Sequence, residues 1–223
     1  MARTRGKDSV TRPQPKRGKR RRVVHVFTEG EVTEPTYIEI LKQHGTLIDP
    51  DVTVEVHIAN AGAPGSQRKP IKLVEAAIPQ MREAEREAKR YKLRKEHWPQ
   101  VWCLFDRDDH EQIETAVSQA KKANVGVAFS HPCFEVWRLA HEKSVTGTFD
   151  GVCGLAADRL SFARTDPHPK TVRWGQLQGL YEKAKANAEA MNAQHPEHRN
   201  VLKRDPYTDV WKFVEDGMGI AGY

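Results

Sequence analysis

Three acidic residues stand directly behind short apolar runs. Glu29 follows Val23-Val24-His25-Val26-Phe27-Thr28, and Asp106 and Asp108 follow Val101-Trp102-Cys103-Leu104-Phe105. In a parallel sheet, ligands gather at the carboxyl ends of the strands, so these side chains are candidates to share one mouth. Carboxylates brought that close repel each other unless a cation lies between them. Oxygen-only ligands select Mg²⁺ or Mn²⁺. Mg²⁺ uses one or two carboxylates together with waters and substrate phosphate, which leaves another carboxylate for proton transfer. The chemistry expected is metal-dependent phosphoryl transfer. The same residues also have plainer uses. Asp108 and Asp109 precede a helix expected near His110 and are well suited to cap it, and Glu29 and Glu31 fit an exposed loop.

The elements that must position these groups are legible as alternating strands and helices. A first strand is expected over roughly 22–27, followed by a loop in which Gly30 supplies an unusual backbone angle. Pro35 fits the first turn of a helix whose inner face carries Tyr37, Ile38, Ile40 and Leu41. Val52, Val54, Val56 and Ile58 alternate with polar residues, the pattern of a half-exposed strand. Residues 60–66 form a flexible loop. Ile71, Val74, Ile78, Met81 and Ala88 have helical spacing, with Pro79 expected to kink or restart that helix. The mixed-sign run from Arg82 to Lys95 reads as a solvated helix face.

Val101–Phe105 has the continuous apolar character of a buried strand. It is followed by a helix with Ile113, Ala116, Val117 and Ala120 inside, a strand at 125–129, and a helix opened by Pro132 that carries Phe134, Trp137 and Leu139. This order predicts an α/β fold, a mostly parallel sheet with helices on both faces. Residues 142–170 suggest loops around short helices. Trp174, Leu177, Leu180, Tyr181, Ala184, Ala188 and Met191 predict one long amphipathic helix, and 210–214 a last short one. The expected organisation is a disordered basic arm at 1–21, an α/β core at 22–141 and a helical C-terminal region at 142–223 packed on that core.

Charge is unevenly distributed. Of the net +6, residues 1–22 carry +9, from ten Lys or Arg against Asp8, so the remainder is mildly acidic. Arg17, Lys19, Arg20, Arg21 and Arg22 are therefore candidates to hold a phosphate backbone by counterion release, although a solubilising tail has the same composition. Arg107 is suited to neutralise a phosphate or to face solvent. No apolar run approaches the roughly 20 residues of a membrane helix, and the N-terminus lacks a secretory apolar region, so a cytoplasmic location is expected. Cys103, Cys133 and Cys153 are odd in number and lack Cys-x-x-Cys spacing. They read as reduced, buried thiols, and a zinc site is not expected. There is no P-loop motif, so ATP-driven sensing would have to come from a partner.

Several segments carry a family resemblance. Glu29-Gly30-Glu31-Val32-Thr33-Glu34-Pro35-Thr36-Tyr37, Asp106-Arg107-Asp108-Asp109-His110, Ser130-His131-Pro132-Cys133-Phe134-Glu135-Val136-Trp137 and Asp205-Pro206-Tyr207-Thr208-Asp209-Val210 resemble, in order, the motifs of the RloB-like proteins. His131 stands where that family commonly has Asn, and Ala140 departs from its "LH" pair at His141. The resemblance implies a Toprim-like fold, related to OLD-type nucleases, with Glu29, Asp106 and Asp108 as the catalytic and metal-binding acids. It adds Glu135 as a further ligand or proton-transfer group, although an acid in the first turn of a helix is favourable in itself. His110, His131 and His141 are candidates for proton transfer, His141 foremost, and Glu34 is expected to have a structural role. The implied activity is an Mg²⁺- or Mn²⁺-dependent nuclease of RNA, including tRNA, or of DNA, in anti-phage defence, with an ATPase or other defence-complex partner and a homo-oligomer among its possible assemblies. A non-catalytic nucleic-acid-binding adaptor and a primase-type nucleotidyl transferase are the alternatives.

Overall fold

The computed structural model describes residues 20–107 and 110–223. The expected arm up to Lys19, including Arg17, lies outside the described residues, and so does Asp108. In chain order the main elements are β1 (Arg20–Thr28), α1 (Thr33–His44), β2 (Thr46–Leu47), β3 (Val52–Ile58), α2 (Pro70–Arg90), β4 (Gln100–Asp106), α3 (Ile113–Lys122), β5 (Gly126–His131), α4 (Glu135–Glu142), α5 (Cys153–Ala157), α6 (Tyr181–Asn192), β6 (Tyr207–Thr208), α7 (Val210–Lys212) and β7 (Ile220–Gly222).

Five strands form one sheet in the order β3-β1-β4-β5-β6. The first four are mutually parallel and β6 closes the edge antiparallel to β5. Because side chains alternate across a strand, each strand feeds two cores. Val24, Val26, Trp102, Leu104 and Ala128 pack under α1, α4 and α6. Phe27, Val101, Cys103, Phe105 and Phe129 pack under α2 and α3. Covering both faces is what a parallel sheet requires, and the mostly parallel α/β architecture expected from the sequence is present.

Three expectations are corrected by the packing. α2 runs unbroken through Pro79. The proline removes one backbone donor, but Leu73, Val74, Ala77, Met81, Ala84 and Ala88 bury one face along both halves, so the helix does not restart there. The long helix expected from Trp174 is interrupted instead. A single 3₁₀ turn at Trp174–Gln176 ends before Gly179, which adopts φ +71° and donates its N–H to the Tyr223 carbonyl, and α6 begins only at Tyr181. α3 starts at Ile113 with Gln112 at its cap position, so no described helix begins at His110.

The C-terminal region packs on the core as expected, and it also enters the sheet. It supplies β6 to the sheet, pairs β7 with β2, and places Tyr181, Val210, Phe213 and Ile220 in the core beneath α4. Residues on both sides of 141 share one hydrophobic core.

The cysteines also differ from expectation. Cys133 and Cys153 form a disulfide, because the link before α4 and the first residue of α5 bring their Cα atoms to 5.5 Å. Cys103 alone is a free buried thiol among the described residues. No helix of the described chain is long and apolar enough to cross a membrane.

Candidate metal centre

The site begins where β1 stops. Asn60 imitates a strand neighbour for Thr28, accepting from its N–H at 3.0 Å and donating to its carbonyl at 2.8 Å. The Arg68 guanidinium, 5% exposed, donates to the carbonyls of Thr28, Gly30, Asn60, Ala61 and Ala63 at 3.0–3.2 Å. The Glu29 N–H continues the sheet by donating to the Leu104 carbonyl. The backbone around Glu29 is thus held on every side.

Gly30 is needed for close approach rather than for an unusual backbone angle. A Cβ there would lie 1.9 Å from a Glu34 carboxyl oxygen. That carboxyl accepts the Gly30 N–H at 2.9 Å.

Among the described residues five acids line one cleft of about 580 Å³; Glu31 is mostly exposed at its rim, and the other four, Glu29, Glu34, Asp106 and Glu135, form the inner group. Glu29 reaches across to β4, where its Oε2 accepts the Asp106 N–H at 2.8 Å and its Oε1 lies 2.5 Å from His110 Nε2. Asp106 is the last residue of β4. Its carboxyl is held well above the ordinary range by burial and by the charges of Glu34, Glu29 and Glu135, with the Phe134 backbone N–H opposing the shift. Glu135 opens α4. Glu34 lies in the first turn of α1, 3% exposed, and burial, with Glu135 and Glu29 adding to it, raises its pKa to about 7. Lys69, Lys170, Cys133 and Cys153 complete the parts of the lining that bear on chemistry.

The sequence placed Glu29, Asp106 and Glu135 together correctly. It missed Glu34 as a member of the group. A structural role was expected for it through Tyr37 or the helix N-terminus; it bonds the Gly30 N–H, and its charge belongs to the cluster. The available signal was an acid in the first turn of the helix that follows the Glu29 loop, which places it at the same sheet edge. Arg68 gave no signal, because its function is to satisfy carbonyls of two loops that only the fold brings together.

Other candidates lie elsewhere. His141 is 1% exposed, its Nδ1 on the Trp137 carbonyl and its Nε2 on the Tyr223 hydroxyl. Burial lowers its pKa to about 4, so it is a neutral core group and not part of the cleft. His131 and Arg107 do not line the cleft either. Arg20 and Arg21, expected in the arm, belong to β1 together with Arg22. β1 is nine residues long, so Arg20 sits roughly 25 Å from Thr28, at the opposite end of the sheet. There Arg20 pairs with Asp49 and Arg21 with Glu55.

The donor set fits a hard divalent cation. All four acids offer oxygen, and burial first, with the neighbouring carboxylate charges adding to it, pushes Asp106 and Glu34 toward the protonated form. Among the described residues, no trio of these carboxylates has oxygens that all lie within 4.8 Å of one another. As they stand, no more than two of them could therefore ligate one ion directly, with waters completing its shell.

A pH dependence follows. The folded chain binds the Glu34 proton more tightly than the unfolded chain, whose value is near 4.5. This contributes stability below that value which is lost as pH rises toward 7, on the order of 3 kcal/mol at most. Thermal unfolding in chelator should therefore show a Tm that falls between about pH 5 and 7. Glu34→Gln, which keeps an acceptor for the Gly30 N–H, should flatten that slope. Added Mn²⁺ should raise Tm more at the higher pH, because the cation binds the deprotonated cluster.

A model of the protein family described as RloB-like protein matches residues 24–216. No curated protein and no solved structure gives a match.

Proposed function

The chain belongs to the RloB-like family, and from that premise we propose that it is an Mg²⁺- or Mn²⁺-dependent nuclease of the Toprim type, related to OLD-type nucleases, that hydrolyses phosphodiesters in RNA, tRNA included, or in DNA during anti-phage defence. The observation that carries this is the convergence of Glu29, Glu34, Asp106 and Glu135 in one cleft at the carboxyl end of a parallel sheet. Glu29, Asp106 and Glu135 are the groups that would hold the cation. Bound there, it would supply a polarised phosphate and a water of lowered pKa.

The chain's own residues prepare that chemistry. The bond from the Asp106 N–H fixes the Glu29 carboxylate, so its orientation costs nothing when substrate arrives. His110, held on the other oxygen of Glu29, is placed to carry a proton between that carboxylate and the cleft. Lys69 and Lys170 stand at the lining of an otherwise acidic cleft and are positioned to attract a phosphate backbone. No P-loop occurs in the sequence, so nucleotide-driven control falls to a partner ATPase.

The test is expression of wild type and Glu29→Gln in cells, followed by sequencing of RNA and DNA ends. New ends should appear with wild type only, and they identify the polymer and the position. If both proteins give the same background while purified protein binds nucleic acid without Mn²⁺, the chain is an adaptor and not a nuclease.

A further inference from the structure

We propose that Cys133, Cys153 and Glu135 form a second, thiol-dependent cation site for a soft divalent ion such as Zn²⁺, available once the disulfide is reduced. Cys133 lies two residues before Glu135, and Cys153 is the first residue of α5. The two sulfurs and a Glu135 carboxyl oxygen all lie within 4.8 Å of one another, with Cys153 Sγ 3.5 Å from Glu135 Oε2. All three line the same open cleft, which gives an ion a route in and leaves room for a water as fourth ligand.

Two thiolates with a carboxylate match the preferences of Zn²⁺, which takes Cys sulfur and carboxylate oxygen in four-coordinate sites, and not those of Mg²⁺. The ligands are 20 residues apart in sequence, so no close-spaced motif announces them.

The chemistry balances with a dithiol reductant. One thiolate of the dithiol attacks the Cys133–Cys153 bond. The resulting mixed disulfide is resolved by the second thiol. The dithiol leaves as its own disulfide, and Cys133 and Cys153 receive two electrons and two protons. Zn²⁺ then displaces those two protons to solvent. While the disulfide is intact, neither sulfur is a thiolate and the site does not exist. Because Glu135 is common to both sites, a bound Zn²⁺ withdraws it from the oxygen-ligand centre and lowers Mn²⁺-dependent cleavage. This last consequence rests on the proposed nuclease function, whereas binding itself does not.

Cobalt is the probe, since thiolate coordination gives a ligand-to-metal charge-transfer band in the near ultraviolet. Full-length protein is titrated with Co²⁺ after reduction, with free thiols counted, and in parallel with the disulfide intact. The expected result is a stoichiometric thiolate–cobalt band in reduced wild type that Zn²⁺ abolishes by displacement. The band should be absent from the oxidised protein and from Cys133→Ser/Cys153→Ser, and Glu135→Gln should keep it with affinity weakened by about 10-fold or more. The proposal is overturned if reduced wild type with all thiols free gives no band, or if the band survives in the double-serine protein. The oxidised-against-reduced comparison needs no variant, so it stands even if the double-serine chain folds poorly. The readout needs no turnover, so failure of the nuclease reading does not affect it.

Discussion

Glu29→Gln and Asp106→Asn should each lower divalent-cation-dependent cleavage by at least about 10²–10³-fold, the loss typical of removing one preorganised electrostatic group from a site, while the fold survives. Gln keeps a carbonyl oxygen for the Asp106 N–H that Glu29 accepts at 2.8 Å, so the bridge between β1 and β4 remains and only the charge is lost. Asp106 offers a sharper contrast. Its carboxyl is buried and held toward the protonated form by three neighbouring acids. Replacing it by a neutral amide of the same shape removes that repulsion. Asp106→Asn should therefore unfold at an equal or higher temperature than wild type in chelator, and lose the Tm gain that Mn²⁺ gives wild type. Lower activity with a lower Tm in chelator would mean that Asp106 is a structural residue instead.

Arg68→Met should cost about 3–5 kcal/mol of stability, at the upper end for a single substitution. The guanidinium is almost fully enclosed and donates to five backbone carbonyls in the loops that follow β1 and β3. Met fills the volume but makes none of these five bonds: Thr28, Gly30 and Asn60 keep second donors in the Asn60 amide, the Thr28 hydroxyl and the Ala63 N–H, whereas Ala61 and Ala63 lose theirs, and the charged-donor bonds that tie the two loops together are gone. Arg68→Lys should recover little, because three donors on a tetrahedral nitrogen cannot match a planar fork. The nearby Glu31 at 3.5 Å is mostly exposed and contributes little. For a chain of this size the loss corresponds to a Tm fall of about 10 °C. Cleavage should fall as well, since the Gly30 and Thr28 carbonyls flank Glu29.

How much of this was legible in the sequence depended on how local each signal was. The strands at 52–58 and 101–105 were readable because alternation and apolar runs are local patterns, and they emerge as β3 and β4 with one extra residue at each end of β4. Glu29 and Asp106 were readable because they stand where apolar strands end, whereas Glu135 was brought in by the family motif that contains it. Glu34 was read only as a structural acid for Tyr37 or the helix N-terminus, since its charge matters through burial, which no spacing reveals. His141 was misplaced because a histidine inside a helix looks the same whether its face meets solvent or core. Its partner is Tyr223, 82 residues away. The uninterrupted α2 and the interrupted helix before α6 fail for one reason. Tertiary burial overrode Pro79, whereas the Gly179 turn, tied to Tyr223, overrode an amphipathic pattern. The pairing of Cys133 with Cys153 needed the fold to bring α4 and α5 together.

The central claim is that the four-carboxylate cleft is a hard-cation centre. Its most direct test is Mn²⁺ binding to purified, oxidised protein by electron paramagnetic resonance, with the disulfide intact so that the thiol site is closed. Wild type should sequester Mn²⁺, more tightly above about pH 7 than below as the Glu34 proton is lost. Glu29→Gln and Asp106→Asn should leave the free-ion signal unchanged. A wild-type protein that leaves Mn²⁺ free at every pH, or variants that bind it as well as wild type, would contradict the account.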